Sequence, residues 1–413
     1  MAKRISFTVI GSGCSTASPD PMCRLRPDPC CPPCKDAFAN PLTSRNVRGN
    51  TSAAIRIEHD DGAEPDTIVI DCGKTFRESA LHLFAREDIR KITLVITHAH
   101  IDAFGGLDDT RPWISSSAGV QDHIDVYCTR LTHDGIKKTF YWLFDDPSKP
   151  KSTNHLPKFR WHIMPDDEDW KVCGITLSPF QFHHAKHGTQ TTLCTAFLID
   201  HSVLYASDVF YIPKTEWTGL REKLREKLTL PTRDGQYTSS RPRLQVAILD
   251  ATSVFAFYTP HFSVGQAIAT ARRLGALRTI FTGIPHGYSH ATWEAWCRAF
   301  AQHHAAVSST PEEGPKGMPD LWWDWREQER RAVETTNGER DWSERSFFKH
   351  AMESVRLWES EEALRQQKGG PARLHGIDTR PAHDGMTFSW TSLQPTHHPH
   401  DARAEGLEPH RGH

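Results

Sequence analysis

Leu94-Val-Ile-Thr-His-Ala-His-Ile-Asp-Ala-Phe-Gly-Gly-Leu107 decides how this chain reads. The apolar run predicts a buried strand over Thr93–Thr97 whose C-terminal end opens into a loop bearing His98, His100 and Asp102. Alternate residues of an extended segment point to the same side, so the two imidazoles can reach one cation. Asp102 adds a hard oxygen ligand, or a catalytic base, beside it. A cluster of this composition directly after an apolar strand is what a catalytic metal site needs.

Working outward, short runs rich in Val, Ile, Phe and Thr predict further strands. On the N-terminal side these are Ile5–Gly11, Ser52–Glu58 and Thr67–Asp71. On the other side they are Ile124–Cys128, Gly174–His184, Thr192–Asp200, Ser202–Ser207, Leu244–Asp250, Thr279–Gly283 and a closing Gly385–Trp390. Asp200-His201 between two apolar strands predicts a tight hairpin. Helical patterns fall at Phe76–Glu87, Leu131–Phe144, Ser263–Leu274 and His290–His304. This order predicts an α/β chain folded as an αββα sandwich, two mixed sheets faced by helices. Residues 1–304 form the expected core and 305–370 a charged, Trp-rich helical insertion. Residues 371–391 return as the closing strand, and 392–413 form a disordered tail.

Thr97-His-Ala-His-Ile-Asp-Ala resembles the T-H-x-H-x-D-H signature of the metallo-β-lactamase superfamily. Arg48-Gly-Asn-Thr-Ser, Gly106-Leu-Asp-Asp and Arg380-Pro-Ala-His-Asp-Gly-Met resemble segments of one of its branches. That branch holds the cyclic phosphodiesterase of bacterial phosphonate breakdown and its uncharacterised fungal relatives. The resemblance implies roles for residues further along the chain. Asp71 would support the ligand loop, Asp208 would bridge two metals, and His286 would be the late strand-end ligand. A histidine is needed after Leu177-Ser-Pro-Phe-Gln-Phe-His-His-Ala-Lys-His-Gly. Strand alternation sets Phe180, Phe182 and His184 on one face, which points to His184, with His187 as the alternative. Position 103 is Ala where the signature has a second-site histidine. The expected centre therefore has His98, His100, His184 and Asp208 at one metal and Asp102, Asp208 and His286 at a second, the latter still open to question. Asp109 or His290 are candidate compensating ligands. Zinc is the expected ion, with manganese the alternative at a carboxylate-rich site. His290 is also a candidate leaving-group acid.

Met22-Cys-Arg-Leu-Arg-Pro-Asp-Pro-Cys-Cys-Pro-Pro-Cys carries enough thiolates for most of a structural zinc site. Cys23, Cys31 and Cys34 are the best three; the fourth ligand is either Cys30 or a histidine distant in sequence. The matching loop of the branch named above carries such a zinc. Gly11-Ser-Gly-Cys-Ser is half of a phosphate loop with no following Lys, and reads as a strand-to-loop turn. His261 either caps the Ser263–Leu274 helix or lies near the pocket.

The whole chain sets outer bounds. It has 413 residues, 49 Lys+Arg against 51 Asp+Glu, and a formal net charge of −2. Near-neutrality gives no argument for a nucleic-acid or membrane partner. The start lacks the apolar stretch of a secretory leader, and ten cysteines in a reducing setting read as thiols or ligands. A cytoplasmic protein, with the nucleus also open, is the expectation. Its expected partner is a small, cyclic or nucleotide-like phosphate ester, with a homodimer left open. The competing readings are a thioester or lactone hydrolase, a tRNA 3′-processing endonuclease, and a non-catalytic metal-binding interaction protein.

Overall fold

The structure, a computed structural model, describes residues 4–25, 30–114, 119–144, 158–187, 190–226, 244–254, 260–304, 347, 351–352, 354–355 and 378–391. Most of the expected 305–370 insertion and the whole of the 392–413 tail lie outside these residues, as does the side chain of His187.

Among the described residues the strands form two seven-stranded sheets. The first holds β1 (Arg4–Gly11), β2 (Ser52–Ile57), β3 (Asp66–Ile70), β4 (Thr93–Val95), β5 (Ile124–Thr129), β6 (Phe159–Met164) and β14 (Thr387–Thr391), in the order β14-β1-β2-β3-β4-β5-β6. The second holds β7 (Trp170–Val172), β8 (Ile175–His187), β9 (Gln190–Ile199), β10 (Val203–Ala206), β11 (Val246–Asp250), β12 (Arg278–Thr282) and β13 (Asp378–Pro381), running in order from β13 to β7. Each sheet is antiparallel in one half and parallel in the other. β14, β1, β2 and β3 pair antiparallel before β3–β6 turn parallel. β7–β10 pair antiparallel before β10–β13 turn parallel.

Three apolar clusters fill the layers. Phe7, Ile55, Ile68 and Val95 of one sheet meet Leu177, Phe197, Tyr205 and Ile248 of the other between the sheets. Val69, Leu94 and Val126 cover the outer face of the first sheet beneath Phe76, Phe104 and Ile136. Leu204, Ala247 and Phe281 do the same on the second sheet beneath Phe262, Trp293 and Trp296. The expected αββα sandwich is the observed one. Phe347, Ala351 and Val355 are buried in that last cluster, with the Phe347 ring 4.9 Å from Trp293. The inner parallel strands β3, β4, β10, β11 and β12 are buried along nearly their whole length, which is why they read as continuous apolar runs.

Several elements departed from the sequence reading. β6, β7 and β13 were not expected, nor were the helices Pro32–Ala39 and Lys214–Glu226. β7 and β13 have only three and four residues, too few to show a period. The Asp200-His201 hairpin formed as expected: both residues have positive φ, 46° and 53°, as a two-residue turn of matching twist requires. The helix Val264–Leu274 is capped by Ser263 in a reciprocal capping box with Gln266 and ends at Gly275 in the left-handed region.

Candidate metal centre

The site lies where the parallel strands end, the edge at which open α/β sheets place their chemistry. β3 leads to Asp71, β4 leads to His98, β10 leads to Asp208, and β11 ends in Asp250. Asp71 has φ of 65°, a strained state for a residue with a side chain. The turn aims its carboxylate at the ligand loop: Oδ1 accepts from Thr97 N at 2.8 Å, and the Thr97 hydroxyl is 2.9 Å from Oδ2. A Cβ at Gly73 would overlap the Asp102 carbonyl, so a glycine lets the loop close against that segment.

His98, His100 and His184 converge. Their ring centroids are 4.8 to 5.1 Å apart, and His184 Nε2 is 3.0 Å from His100 Nδ1. His184 reaches this position through a β-bulge at His183/Ala185, a device that re-aims a side chain. His183 instead packs on Tyr211, and its backbone pairs with that residue. Asp208 completes the group, within metal-sharing distance of His98 with Cys194, and of His184 with His261.

The ring orientations are set from behind. Thr97 Oγ1 gives its proton to Asp71, so toward His98 Nδ1, 2.8 Å away, it can only accept. The His98 proton is therefore on Nδ1, and Nε2 presents a lone pair. The Pro260 carbonyl fixes His184 in the same way, 2.9 Å from its Nδ1. His261 donates from Nδ1 to Asp250 Oδ2 at 2.7 Å. Metal-binding histidines are held by such partners. His98 Nε2 is buried and has no hydrogen-bond partner among the described residues. An orphaned lone pair among two further imidazoles and a carboxylate fits a divalent cation.

Electrostatics agree. Burial, reinforced by His184 and His100, pulls the His98 pKa down to about 3 and keeps the ring neutral. Burial would raise Asp208, but His184, His98 and His261 outweigh it and hold the carboxylate at about 2. Burial would also neutralise His261, yet Asp250 and Asp208 raise it to about 9. Asp250 is fully buried and also accepts from Val209 N, so one carboxylate fixes both the His261 ring and the backbone after Asp208.

Asp250 and Cys194 were missed as site residues; His261, left open between helix cap and pocket, lies at the site, and Ser263 caps the helix. Asp250 carried a signal of its own, a carboxylate ending an apolar parallel strand. Cys194 lies mid-strand in β9, and no local signal marks it.

Two sequence expectations change. His286 does not join the histidine group. Its Nδ1 lies 3.6, 3.3 and 3.5 Å from the Sγ atoms of Cys23, Cys31 and Cys34. It follows β12 by four residues, and the Gly13–Ile284 bridge carries that loop to the cysteine segment. His290 is buried elsewhere, with Nε2 3.2 Å from Glu294 Oε1 and its ring against His383. Burial pulls its pKa down to about 2, so the ring is neutral and is not an imidazolium acid for a leaving group. Asp102 sits in the short helix Ile101–Phe104, raised by burial and by Asp208.

The Cys23–Cys31 sulfur separation is 3.7 Å. A tetrahedral zinc with bonds of about 2.3 Å to sulfur and about 2.0–2.1 Å to nitrogen requires separations near these values. Asp20 Oδ2 backs His286 Nε2 at 3.4 Å, and Asp20 N donates to Cys34 Sγ. Without a cation the Cys31 contact and burial push the Cys34 thiol up to about 12. A structural zinc here would couple to folding. Cys31→Ser/Cys34→Ser is expected to lower the melting temperature and remove one zinc per chain, both measured on the same sample. Unchanged zinc and melting temperature would reject the assignment.

Residues 66–284, more than half of the chain, match the β-lactamase superfamily domain, and the chain belongs to that family. It is a metallo-β-lactamase fold hydrolase. A diphosphatase of the PhnP family shares the fold at 20% identity and a TM-score of 0.53, over 95% of this chain and 99% of that one. The metallo-β-lactamase fold protein YhfI of Bacillus subtilis aligns over 94% of this chain and 99% of its own at 12% identity and a TM-score of 0.47. An octanoyltransferase of Porphyromonas gingivalis is 27% identical over 180 residues, 43% of this chain and 30% of that protein. The chain thus aligns with less than a third of that relative. Among the described residues no helix is long and apolar enough to cross a membrane.

Proposed function

We propose that this chain is a metal-dependent phosphodiesterase acting on a small phosphate ester. The observation that carries the reading is the convergence of His98, His100, His184 and Asp208 beside a charged His261 held by Asp250. The first four residues would hold zinc or manganese. When bound, the ion supplies Lewis acidity, making hydroxide available near neutral pH and offsetting charge on the phosphoryl oxygens.

The protein's own groups do the rest. Asp71, through Thr97, keeps His98 in the tautomer that presents Nε2. Asp250 keeps His261 oriented and protonated, so the ring can give its Nε2 proton to the departing oxygen. An alkoxide is a strong base and needs that proton; a thiolate leaves readily without it, which disfavours a thioester substrate. A structural zinc at Cys23, Cys31, Cys34 and His286 would anchor the loops on the N-terminal side.

The test is turnover of bis(p-nitrophenyl) phosphate, small cyclic phosphates, thioesters and lactones by zinc- and manganese-loaded protein. Phosphodiesters are expected to turn over at least tenfold faster than the carbonyl substrates. Hydrolysis of thioesters or lactones alone would overturn the reading.

A further inference from the structure

We infer that Lys74 is a substrate-binding residue of this centre, its ammonium taking the negative charge of the phosphoryl group. The inference rests on the phosphodiesterase reading above and deepens it.

Lys74 lies in the loop after β3, at the edge where the strands deliver their site residues. The backbone that carries it is bound to the ligand loop. Cys72 N donates to the Ala103 carbonyl at 2.7 Å, and Gly106 N to the Cys72 carbonyl at 2.8 Å. Gly73 packs against the Asp102 carbonyl, and the Lys74 stem passes beside Gly105, where an added Cβ would meet its Cγ at 3.2 Å. Four carboxylates gather at this edge, Asp71, Asp102, Asp208 and Asp250, and an anionic ester must approach them against repulsion. His261 meets that charge beside Asp208 and Asp250. Lys74 meets it beside Asp102: burial and Asp208 raise that carboxylate, and His184 and Lys74 act against them.

Lys74 is exposed, and among the described residues its ammonium has one hydrogen-bond partner, the Ser15 carbonyl at 2.7 Å. An ammonium has three protons, so two remain for a ligand. The carbonyl does not depend on the lysine. Asn50, only 2% exposed, donates from Nδ2 to the same oxygen at 3.0 Å and to the Cys14 carbonyl at 3.1 Å. That loop is therefore held from within, and Lys74 is not its strap. Exposed cations on the neighbouring segments are paired, Arg77 with Glu78 and Arg111 with Asp108. Lys74 is paired with no carboxylate among the described residues. A lysine so placed suits an incoming anion.

The test is steady-state turnover of bis(p-nitrophenyl) phosphate by zinc-loaded wild type, Lys74→Met and Lys74→Arg, at low and at moderate salt. Zinc content and thermal melts are measured on the same samples. Lys74→Met keeps the stem and removes the charge. It is expected to raise KM by about tenfold or more, the scale of one charge-assisted hydrogen bond, with zinc content and melting temperature unchanged. Lys74→Arg is expected to recover most of that loss, and KM should rise more steeply with salt in the wild type than in Lys74→Met. A KM in Lys74→Met within about twofold of the wild type, or an equal loss in both variants, would overturn the inference and leave the phosphodiesterase reading standing. A wild type that hydrolyses thioesters or lactones and no phosphodiester would overturn both.

Discussion

Asp208→Ala is expected to fold normally and to lose on the order of a hundredfold or more in turnover, the scale of removing one preorganised electrostatic contact. The carboxylate is 8% exposed and held ionised by three imidazoles. Nothing in the core depends on its volume, and the turn after β10 is fixed from elsewhere, by Asp250 accepting from Val209 N. Loss of the charge removes an anionic partner of His98, His184 and His261 together, which weakens metal affinity as well as the position of what remains. If Asp208 served only to cap the following turn, the variant would instead lose about 0.5–2 kcal/mol of stability. Phosphodiester turnover beside a thermal melt, at saturating zinc and then manganese, separates the two. Near-normal turnover with a lowered melting temperature would remove Asp208 from the centre.

His261→Ala is expected to lower kcat by about a hundredfold to ten-thousandfold, the range of general acid catalysis, on esters whose alcohol is a poor leaving group. The loss should be far smaller on bis(p-nitrophenyl) phosphate, because nitrophenolate departs without a proton. Metal content should stay at the wild-type value, since none of the four ion-holding residues is touched. Asp250→Asn should follow the same leaving-group pattern with a smaller loss, as the amide still orients the ring but no longer holds its proton. An equal loss on all leaving groups would mean that His261 shapes the site rather than donating to substrate.

Much of the fold was legible because buried strands announce themselves. β4 and its His98-Ala-His100 end are an apolar run followed by side chains that only a site would place there. Asp200-His201 is a turn that the flanking strands demand. Asp71 and Asp208 came from the resemblance to the metallo-β-lactamase superfamily, which places carboxylates after these strands. His286 was misplaced because a strand end fixes where a loop starts and not where it goes; the bridge between Gly13 and Ile284 redirects it to the cysteines. The sequence reading nevertheless allowed a distant histidine as the fourth partner of Cys23, Cys31 and Cys34, and the structure sets His286 there. His184 was chosen by alternation, yet its placement depends on a bulge that alternation does not contain. His261 stayed ambiguous because its meaning comes from Asp250, eleven residues earlier, and from Asp208 at the end of the neighbouring strand. Those relations are tertiary and leave no local period.

The central claim, that a cation held by His98, His100, His184 and Asp208 drives hydrolysis, has one direct measurement. Phosphodiester turnover is followed while the wild type is stripped by a chelator and titrated back with zinc or manganese, beside His98→Ala/His100→Ala carried through the same cycle. The account predicts that stripping abolishes turnover, that the ion restores it in the wild type, and that the double variant recovers neither active-site metal nor turnover. Turnover that survives stripping, or a double variant that regains both, would contradict it.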